Sequence, residues 1–124
     1  MPKKILIVDD EEVMSTVLER HFKGRGYDVV LANDGQEGLA VAKAEMPDLI
    51  ILDNMMPKMD GFKVCALLKS DVRFKKIPIV MFTARVPTEE DKQLGEEVGF
   101  DAYISKFTDF DDLLIKVQEL TGEN

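Results

Sequence analysis

The stretch that decides the fold is Ile50-Ile51-Leu52-Asp53-Asn54-Met55-Met56-Pro57-Lys58-Met59-Asp60-Gly61. Apolar residues run without interruption into one aspartate, Asp53, and a turn that contains proline and glycine follows. This pattern predicts a buried strand that presents Asp53 at its carboxyl end, where open α/β sheets hold their ligands. The rest of the chain can then be read as a scaffold for one carboxylate and as the groups that surround it.

Four more short apolar runs, each followed by a segment of helical periodicity, accompany this strand. The predicted strands cover residues 5–8, 29–31, 49–52, 79–82 and 102–104. Five strands that alternate with five helices predict a flavodoxin-like, doubly wound parallel sheet with right-handed crossovers. The expected fold class is α/β, with strand order 2-1-3-4-5 and three α/β/α layers.

Helix starts and inward faces can be assigned from polar caps and apolar spacing. Caps are expected within Asn33-Asp34-Gly35 and at Asp60, Thr88 and Thr108. The first helix repeats apolar residues at helical spacing, at Val13, Val17 and the series Met14, Leu18 and Phe22. The fourth helix has a thin apolar face, Leu94 and Val98 with Gly95 between them, which predicts an element of low local stability.

Composition limits the possible functions. The 124 residues predict a single domain over 1–124, with no effector domain within the chain. A net charge of −8 argues against direct nucleic-acid binding, which needs a basic patch. The single cysteine forms no internal disulfide and fits a reducing compartment such as the cytoplasm. The first apolar run is too short to insert into a membrane.

Three aspartates are predicted to meet at one edge of the sheet. Strands 1 and 3 are neighbours in the expected order, and Asp9, Asp10 and Asp53 follow them directly. Carboxylates in such proximity repel one another, and a hard divalent cation relieves the repulsion. An all-oxygen set that also includes the Met55 carbonyl suits Mg²⁺, with Mn²⁺ as a plausible substitute.

Phosphoryl chemistry fits the other groups that reach this edge. A carboxylate such as that of Asp53 can attack phosphorus and become an aspartyl phosphate. Lys106 can neutralise one phosphoryl oxygen, and the hydroxyl of Thr83 can donate a hydrogen bond to another. Catalysis would then consist mostly of positioning and charge stabilisation.

These motifs together resemble the receiver domain of response regulators in two-component signal transduction, and in particular the chemotaxis regulators. Val8-Asp9-Asp10 resembles the family's acidic pair, and Asp53-x-x-Met56-Pro57-x-x-Asp60-Gly61 resembles its phospho-acceptor motif. Thr83-Ala84, Tyr103 and Lys106 stand where the family has its hydroxyl, switch aromatic and lysine. The resemblance covers essentially the whole chain.

The resemblance implies a signalling switch rather than an enzyme. A sensor histidine kinase or a histidine phosphotransfer protein would pass a phosphoryl group to Asp53 in a Mg²⁺-dependent step. Thr83 and Tyr103 would then move, and the face formed by helix 4, strand 5 and helix 5 would bind a downstream effector or a second copy. Met55 and Arg85 are expected to tune hydrolysis of the aspartyl phosphate.

One position departs from the family pattern. Phe107 stands where the family usually has a proline after the lysine, commonly with a cis peptide bond. A non-proline cis bond costs about 2.5–4 kcal/mol, so we expect a trans bond, which leaves the path of the Lys106 loop open.

Other functions remain as alternatives. A flavodoxin-like electron carrier would bind its phosphate where Asp9 and Asp10 repel one. A phosphatase of the haloacid-dehalogenase type usually has a second aspartate two residues after the nucleophile, where this chain has Met55. A phosphorylation-independent interaction module is kept open by Phe107. Cys65 is expected to be a buried apolar group, and His21 a surface helix residue.

Overall fold

The computed structural model describes residues 2–56, 59–84 and 88–122. Strands and helices alternate from end to end: β1 (Lys4–Val8), α1 (Glu12–Lys23), β2 (Asp28–Ala32), α2 (Gly35–Glu45), β3 (Leu49–Leu52), α3 (Gly61–Lys69), β4 (Ile79–Thr83), α4 (Glu89–Val98), β5 (Ala102–Ser105) and α5 (Phe110–Thr121). Within these ranges no helix has the length and apolar composition that crossing a bilayer requires.

All five strands form one parallel sheet in the order β2-β1-β3-β4-β5, which confirms the predicted topology. Strands β1, β3 and β4 are apolar at nearly every position because helices cover both faces of the sheet. One face carries the cluster that includes Leu18 and Leu113, from α1 and α5. The opposite face carries the cluster that includes Ala42 and Val64, from α2 and α3. The molecule is therefore a three-layer α/β/α domain.

Helix caps agree with the prediction at three of four positions. The side chains of Asp34 and Asp60 accept hydrogen bonds from backbone N–H groups in the first turns of α2 and α3. Thr88 begins α4 with a complete capping box. Thr108 was predicted to cap α5, and this is wrong: Asp109 is the cap and accepts from the N–H of Asp111. The backbone N–H of Thr108 instead donates to Ser105 in the preceding turn.

Helix α1 uses only one of its two apolar series to contact the sheet. Leu18 and Phe22 are fully buried, whereas Val13 and Val17 are 79% and 41% exposed. Val13 and Val17, although they share the helical spacing, therefore do not pack against the sheet. They lie on neighbouring turns of the outer side, because at 3.6 residues per turn the two series point in different directions.

The burial of the single cysteine was predicted correctly, whereas that of the single histidine was not. Cys65 is fully buried, as predicted. His21 was predicted to be a surface residue, but it is half-buried, with its ring 5.2 Å from that of Phe110 at the start of α5. The periodicity of α1 alone does not reveal this contact because α5 is distant in sequence.

Helix α4 packs closely against the ring of Phe100 at Gly95. A side-chain carbon at Gly95 would collide with the ring of Phe100, which follows the helix. The same ring lies 5.9 Å from Phe62 of α3 and 5.6 Å from Tyr103 of β5. Gly95 therefore has a packing role that its predicted role as a flexible position does not include.

Candidate functional site

The carboxyl ends of β1 and β3 meet at one edge of the sheet because these strands are parallel neighbours. The N–H of Asp53 donates to the carbonyl of Val8 at 2.9 Å, which fixes the two chain ends side by side. One carboxylate oxygen from each of Asp9, Asp10 and Asp53 lies within 4.8 Å of the others. Asp9 and Asp53 are buried and Asp10 is exposed. The three predicted acids therefore form one cluster.

Lys106 enters this cluster from the end of β5. Its Nζ lies 2.9 Å from Asp9 Oδ2, 2.9 Å from Glu11 Oε1 and 3.5 Å from Asp53 Oδ2, and its side chain is 5% exposed. The backbone N–H of Lys106 donates to the carbonyl of Thr83 at 2.7 Å, which ties the loop to β4.

Phe107 does not prevent this reach. The described part of the chain contains no cis peptide bond, so the predicted trans bond after Lys106 is confirmed. The Phe107 side chain is 84% exposed and points away from the core. A trans path that is anchored on β4 therefore still delivers the lysine to Asp53.

Burial and like charges perturb the ionisation of the cluster. Burial and the neighbouring charges of Asp9 and Asp10 raise the pKa of Asp53 to about 6, against the opposing effects of Met55 N–H and Lys106. Burial by itself would lower the pKa of Lys106. Hydrogen bonds to Asp9 and Glu11, together with nearby negative charge, outweigh burial and raise that pKa. Lys106 is therefore positively charged at neutral pH, while Asp53 is repelled by the carboxylates of Asp9 and Asp10.

The hydroxyl of Thr83 lies at the end of β4 and is completely buried. Within the described residues its Oγ1 has no hydrogen-bond partner. A buried hydroxyl without a partner is costly and uncommon, so it calls for a specific explanation. An additional group bound at this edge of the sheet would supply the missing partner.

Tyr103, on β5, is half-buried and connects the site to α4. Its hydroxyl accepts a long hydrogen bond, 3.5 Å, from Nδ2 of Asn54, the residue that follows Asp53. Its ring packs against Phe100, which in turn occupies the space above Gly95. Side-chain contacts therefore extend from the neighbour of Asp53 to α4.

Comparisons with known proteins place the chain in a family. Residues 5–118 match the family model described as the response regulator receiver domain. The chain belongs to this receiver family. Its fold and its acidic edge are thus those of a phosphorelay switch, and nothing found supports the phosphorylation-independent alternative.

Individual relatives agree. The receiver is 49% identical over 106 residues to the alkaline phosphatase synthesis transcriptional regulatory protein PhoP of Bacillus subtilis, a match that covers 86% of this chain and 43% of PhoP. The chain spans less than half the length of the curated relatives it matches.

Solved structures are similar over almost their whole length. Chemotaxis protein CheY4 of Vibrio cholerae superposes with a TM-score of 0.90 at 32% identity and covers 97% of this chain and 99% of its own. Response regulator TrrA of Thermotoga maritima, solved in complex with Mg²⁺ and a beryllium fluoride, gives a TM-score of 0.84 at 31% identity and covers 95% and 98%.

The receiver's acidic pocket fits a magnesium ion. Its donor set consists of carboxylate oxygens, which hard cations prefer, and three of these oxygens are close enough to share one ion. Lys106 offsets only one of the negative charges, so a divalent cation would relieve the remaining repulsion. Receiver domains bind Mg²⁺ at such a pocket, and in this chain the pocket consists of Asp9, Asp10 and Asp53.

The roles predicted for Met55 and Arg85 at the site remain predictions. The N–H of Met55 donates to Asp53 Oδ1 at 3.1 Å, which places this 63% exposed residue beside the cluster. The proposed use of its carbonyl as a metal ligand is untested. Arg85, and Pro57 within the acceptor motif, lie outside the described residues.

The sequence interpretation missed Glu11 as part of the site. Glu11 is not among the predicted site residues, yet its carboxylate contacts Lys106 and its N–H donates to Asp9 Oδ1 at 2.8 Å. A third acid directly after the pair at a strand end was the available signal. Asn54 was also missed, since an amide beside the acceptor has no distinctive spacing.

Proposed function

We propose that Asp53 accepts a phosphoryl group from a phosphohistidine of a sensor histidine kinase or of a histidine phosphotransfer protein. A carboxylate oxygen of Asp53 forms a bond to phosphorus, and the bond between phosphorus and the imidazole nitrogen breaks. The bonding electrons stay with the imidazole, and the product is an acyl phosphate on Asp53. We place this receiver unit over residues 1–124.

The other site residues stabilise the transferred group. Lys106 pairs with one phosphoryl oxygen, and Thr83 donates its free hydroxyl hydrogen to another. Asp9, Asp10, Asp53 and the Met55 carbonyl would hold Mg²⁺, with Mn²⁺ able to substitute. When bound, the ion would neutralise negative charge and help to orient the phosphoryl group.

The observation that carries this proposal is the combination of Asp53 with an unsatisfied Thr83. A buried carboxylate faces Lys106 at 3.5 Å, and a buried hydroxyl at the end of the next strand has no partner within the described residues. A phosphoryl group on Asp53 adds oxygens to which the Lys106 ammonium group and the Thr83 hydroxyl can both bind. An acidic edge with a purely structural role offers no reason for the vacant hydroxyl.

Loss of the phosphoryl group closes the cycle. Water attacks phosphorus, the bond to the Asp53 oxygen breaks, and inorganic phosphate leaves with the carboxylate restored. Because the chain promotes only its own phosphorylation and dephosphorylation, it acts as a switch and not as a multiple-turnover enzyme. We propose that Met55 and Arg85 set how fast water reaches the phosphoryl group.

The output is a change of the face made by α4, β5 and α5. Thr83 would move toward the phosphoryl group and Tyr103 would turn further inward, with Phe100 following because the two rings are in contact. A downstream effector or a second copy would bind the altered face. The relative PhoP is named a transcriptional regulator, but the charge of −8 argues against direct DNA contact by this chain, which we place in the cytoplasm.

The test is incubation with acetyl phosphate, with and without Mg²⁺, followed by intact mass spectrometry. We expect the wild type to gain one phosphoryl group only with Mg²⁺ or Mn²⁺, and Asp53→Asn to gain none. Asp48→Asn is the control, because Asp48 precedes the other end of β3 and should leave labelling intact. Mass gain by Asp53→Asn, or no gain by the wild type, would overturn the proposal.

A further inference from the structure

Among the acids that the structure describes at the site, Glu11 alone has no place in the proposed chemistry. It is the N-terminal cap of α1, and its carbonyl accepts from Ser15 N–H, so the helix fixes its backbone. Its N–H donates to one carboxylate oxygen of Asp9 at 2.8 Å. Its own carboxylate reaches over the site to Lys106.

These contacts close a ring. Asp9 Oδ2 and Glu11 Oε1 each lie 2.9 Å from Lys106 Nζ, while Glu11 N–H bonds the other oxygen of Asp9. Two of the three donors of the ammonium group are therefore engaged by short contacts. Asp53 Oδ2, the atom that Lys106 is expected to assist, is farther away at 3.5 Å.

We propose that Glu11 is a positioning residue that holds the Lys106 ammonium group away from Asp53 and must release it for phosphoryl transfer. The inference rests on the proposed function of Asp53. The Lys106–Glu11 contact stabilises the resting state but not the transition state, in which Lys106 faces the phosphoryl oxygens. An interaction made only in the ground state slows the step that breaks it.

The difference in burial between Asp9 and Glu11 makes Glu11 the partner that can release Lys106 more easily. Asp9 is 2% exposed and, with its oxygens committed to Lys106 and Glu11, has little freedom to move. The Glu11 carboxylate is 59% exposed, so water can replace Lys106 as its partner at low cost. Glu11 therefore restrains Lys106 through a contact that water can replace.

The test compares Glu11→Gln with Glu12→Gln, which removes the same charge one residue later. Glu12 is exposed, and none of the ion pairs among the described residues includes it, so it controls for the through-space effect of charge. Intact mass is followed over time with acetyl phosphate at saturating Mg²⁺. Hydrolysis is then timed after the donor is removed.

We expect Glu11→Gln to be phosphorylated about two- to fivefold faster than the wild type, the range that a half-exposed ion pair is worth. At high salt this gain should shrink less than any effect of Glu12→Gln, because Lys106 and Glu11 are in direct contact and the Lys106 side chain is buried. Hydrolysis should change less than twofold, because Lys106 has already left Glu11 in the phosphorylated state. Glu12→Gln should match the wild type at high salt.

A structure with Mg²⁺ and beryllium fluoride gives a readout independent of rates. We expect Lys106 Nζ to bind fluoride and to lie beyond hydrogen-bond distance of Glu11. An unbroken Lys106–Glu11 contact there, equal rates for the two variants, or slower labelling of Glu11→Gln would each overturn the inference. An unlabelled wild type would instead refute the function of Asp53 and remove the basis of the inference with it.

Discussion

Helices α4 and α5 precede and follow the same strand, β5, but they are attached to the domain in different ways. Helix α5 buries three apolar side chains, Leu113, Leu114 and Val117. Helix α4 buries Asp91 and Gly95, while Leu94 and Val98 are only half-buried. Thus α5 is held by full hydrophobic burial, whereas α4 is held by the partial burial of residues such as Val98 and by Phe100 against Gly95.

The difference shows where a switch can act at low cost. Full burial of an apolar side chain contributes roughly 1.5–3 kcal/mol, and partial burial contributes less. A helix that is held by half-buried side chains and one aromatic contact can therefore shift without opening the core. Because that aromatic residue also touches Tyr103, movement at the site has a direct path to α4.

The largest expected effect tests the hydrophobic side of this comparison. Leu113→Ala should lower the free energy of unfolding by about 2–5 kcal/mol, because Leu113 is fully buried and its loss leaves a cavity. Leu94→Ala, the matched change in α4, should cost less than about 1 kcal/mol. Urea unfolding measures both, and equal losses would contradict the comparison.

Gly95→Ala tests the packing that replaces burial in α4. In an exposed helix interior this change usually stabilises by about 0.5–1 kcal/mol. Here it should destabilise by about 1–3 kcal/mol, since the added carbon collides with Phe100. The double variant Gly95→Ala/Phe100→Ala should lose less than the sum of the two single variants. Simple additivity would show that the ring is not the obstacle.

The pH dependence of the free energy of unfolding distinguishes the contribution of Asp53 from that of the apolar side chains of α5. Burial raises the pKa of Asp53 from 3.8 to about 6, so the folded protein binds this proton more tightly than the unfolded chain. The stabilisation is present below about pH 4 and is lost as pH rises through about 6. In the metal-free protein Asp53→Asn should therefore gain about 1–2 kcal/mol over the wild type by about pH 7.

Chemical denaturation at a series of pH values measures this difference, which should be near zero at about pH 4. Saturating Mg²⁺ should shrink it, because the ion favours the ionised carboxylate. A gain that does not vary with pH would mean that it arises from packing and not from the charge of Asp53. Leu113→Ala should instead lose the same amount of stability at every pH.

The smallest effect concerns the cap of α4. Thr88→Ala removes the side chain that accepts from Asp91 N–H at 3.1 Å and should cost about 1 kcal/mol. Hydrogen exchange should speed up in α4 and stay unchanged in α5. Asp109→Ala, which removes the cap of α5, is the matched control, and faster exchange throughout the chain would contradict a local role for Thr88.

The sequence was informative where a local pattern carries the physics. Short apolar runs predicted all five strands, and they are longest in β1, β3 and β4, which helices cover on both faces. Caps at Asp34, Asp60 and Thr88 were found because a cap bonds residues two or three positions away. At α5 the cap lies one residue after the predicted Thr108, because Thr108 still belongs to the turn that its N–H closes on the Ser105 carbonyl.

The sequence by itself determined the fold class, the strand order and the acids that meet at one sheet edge, since alternation and strand ends dictate these. Only the tertiary structure decided that Lys106 reaches Asp53 through a trans bond, that Glu11 shares the lysine, and that Phe100 lies on Gly95. These contacts join residues from different elements. Their distances depend on how whole helices and strands pack, which no local pattern of residues encodes.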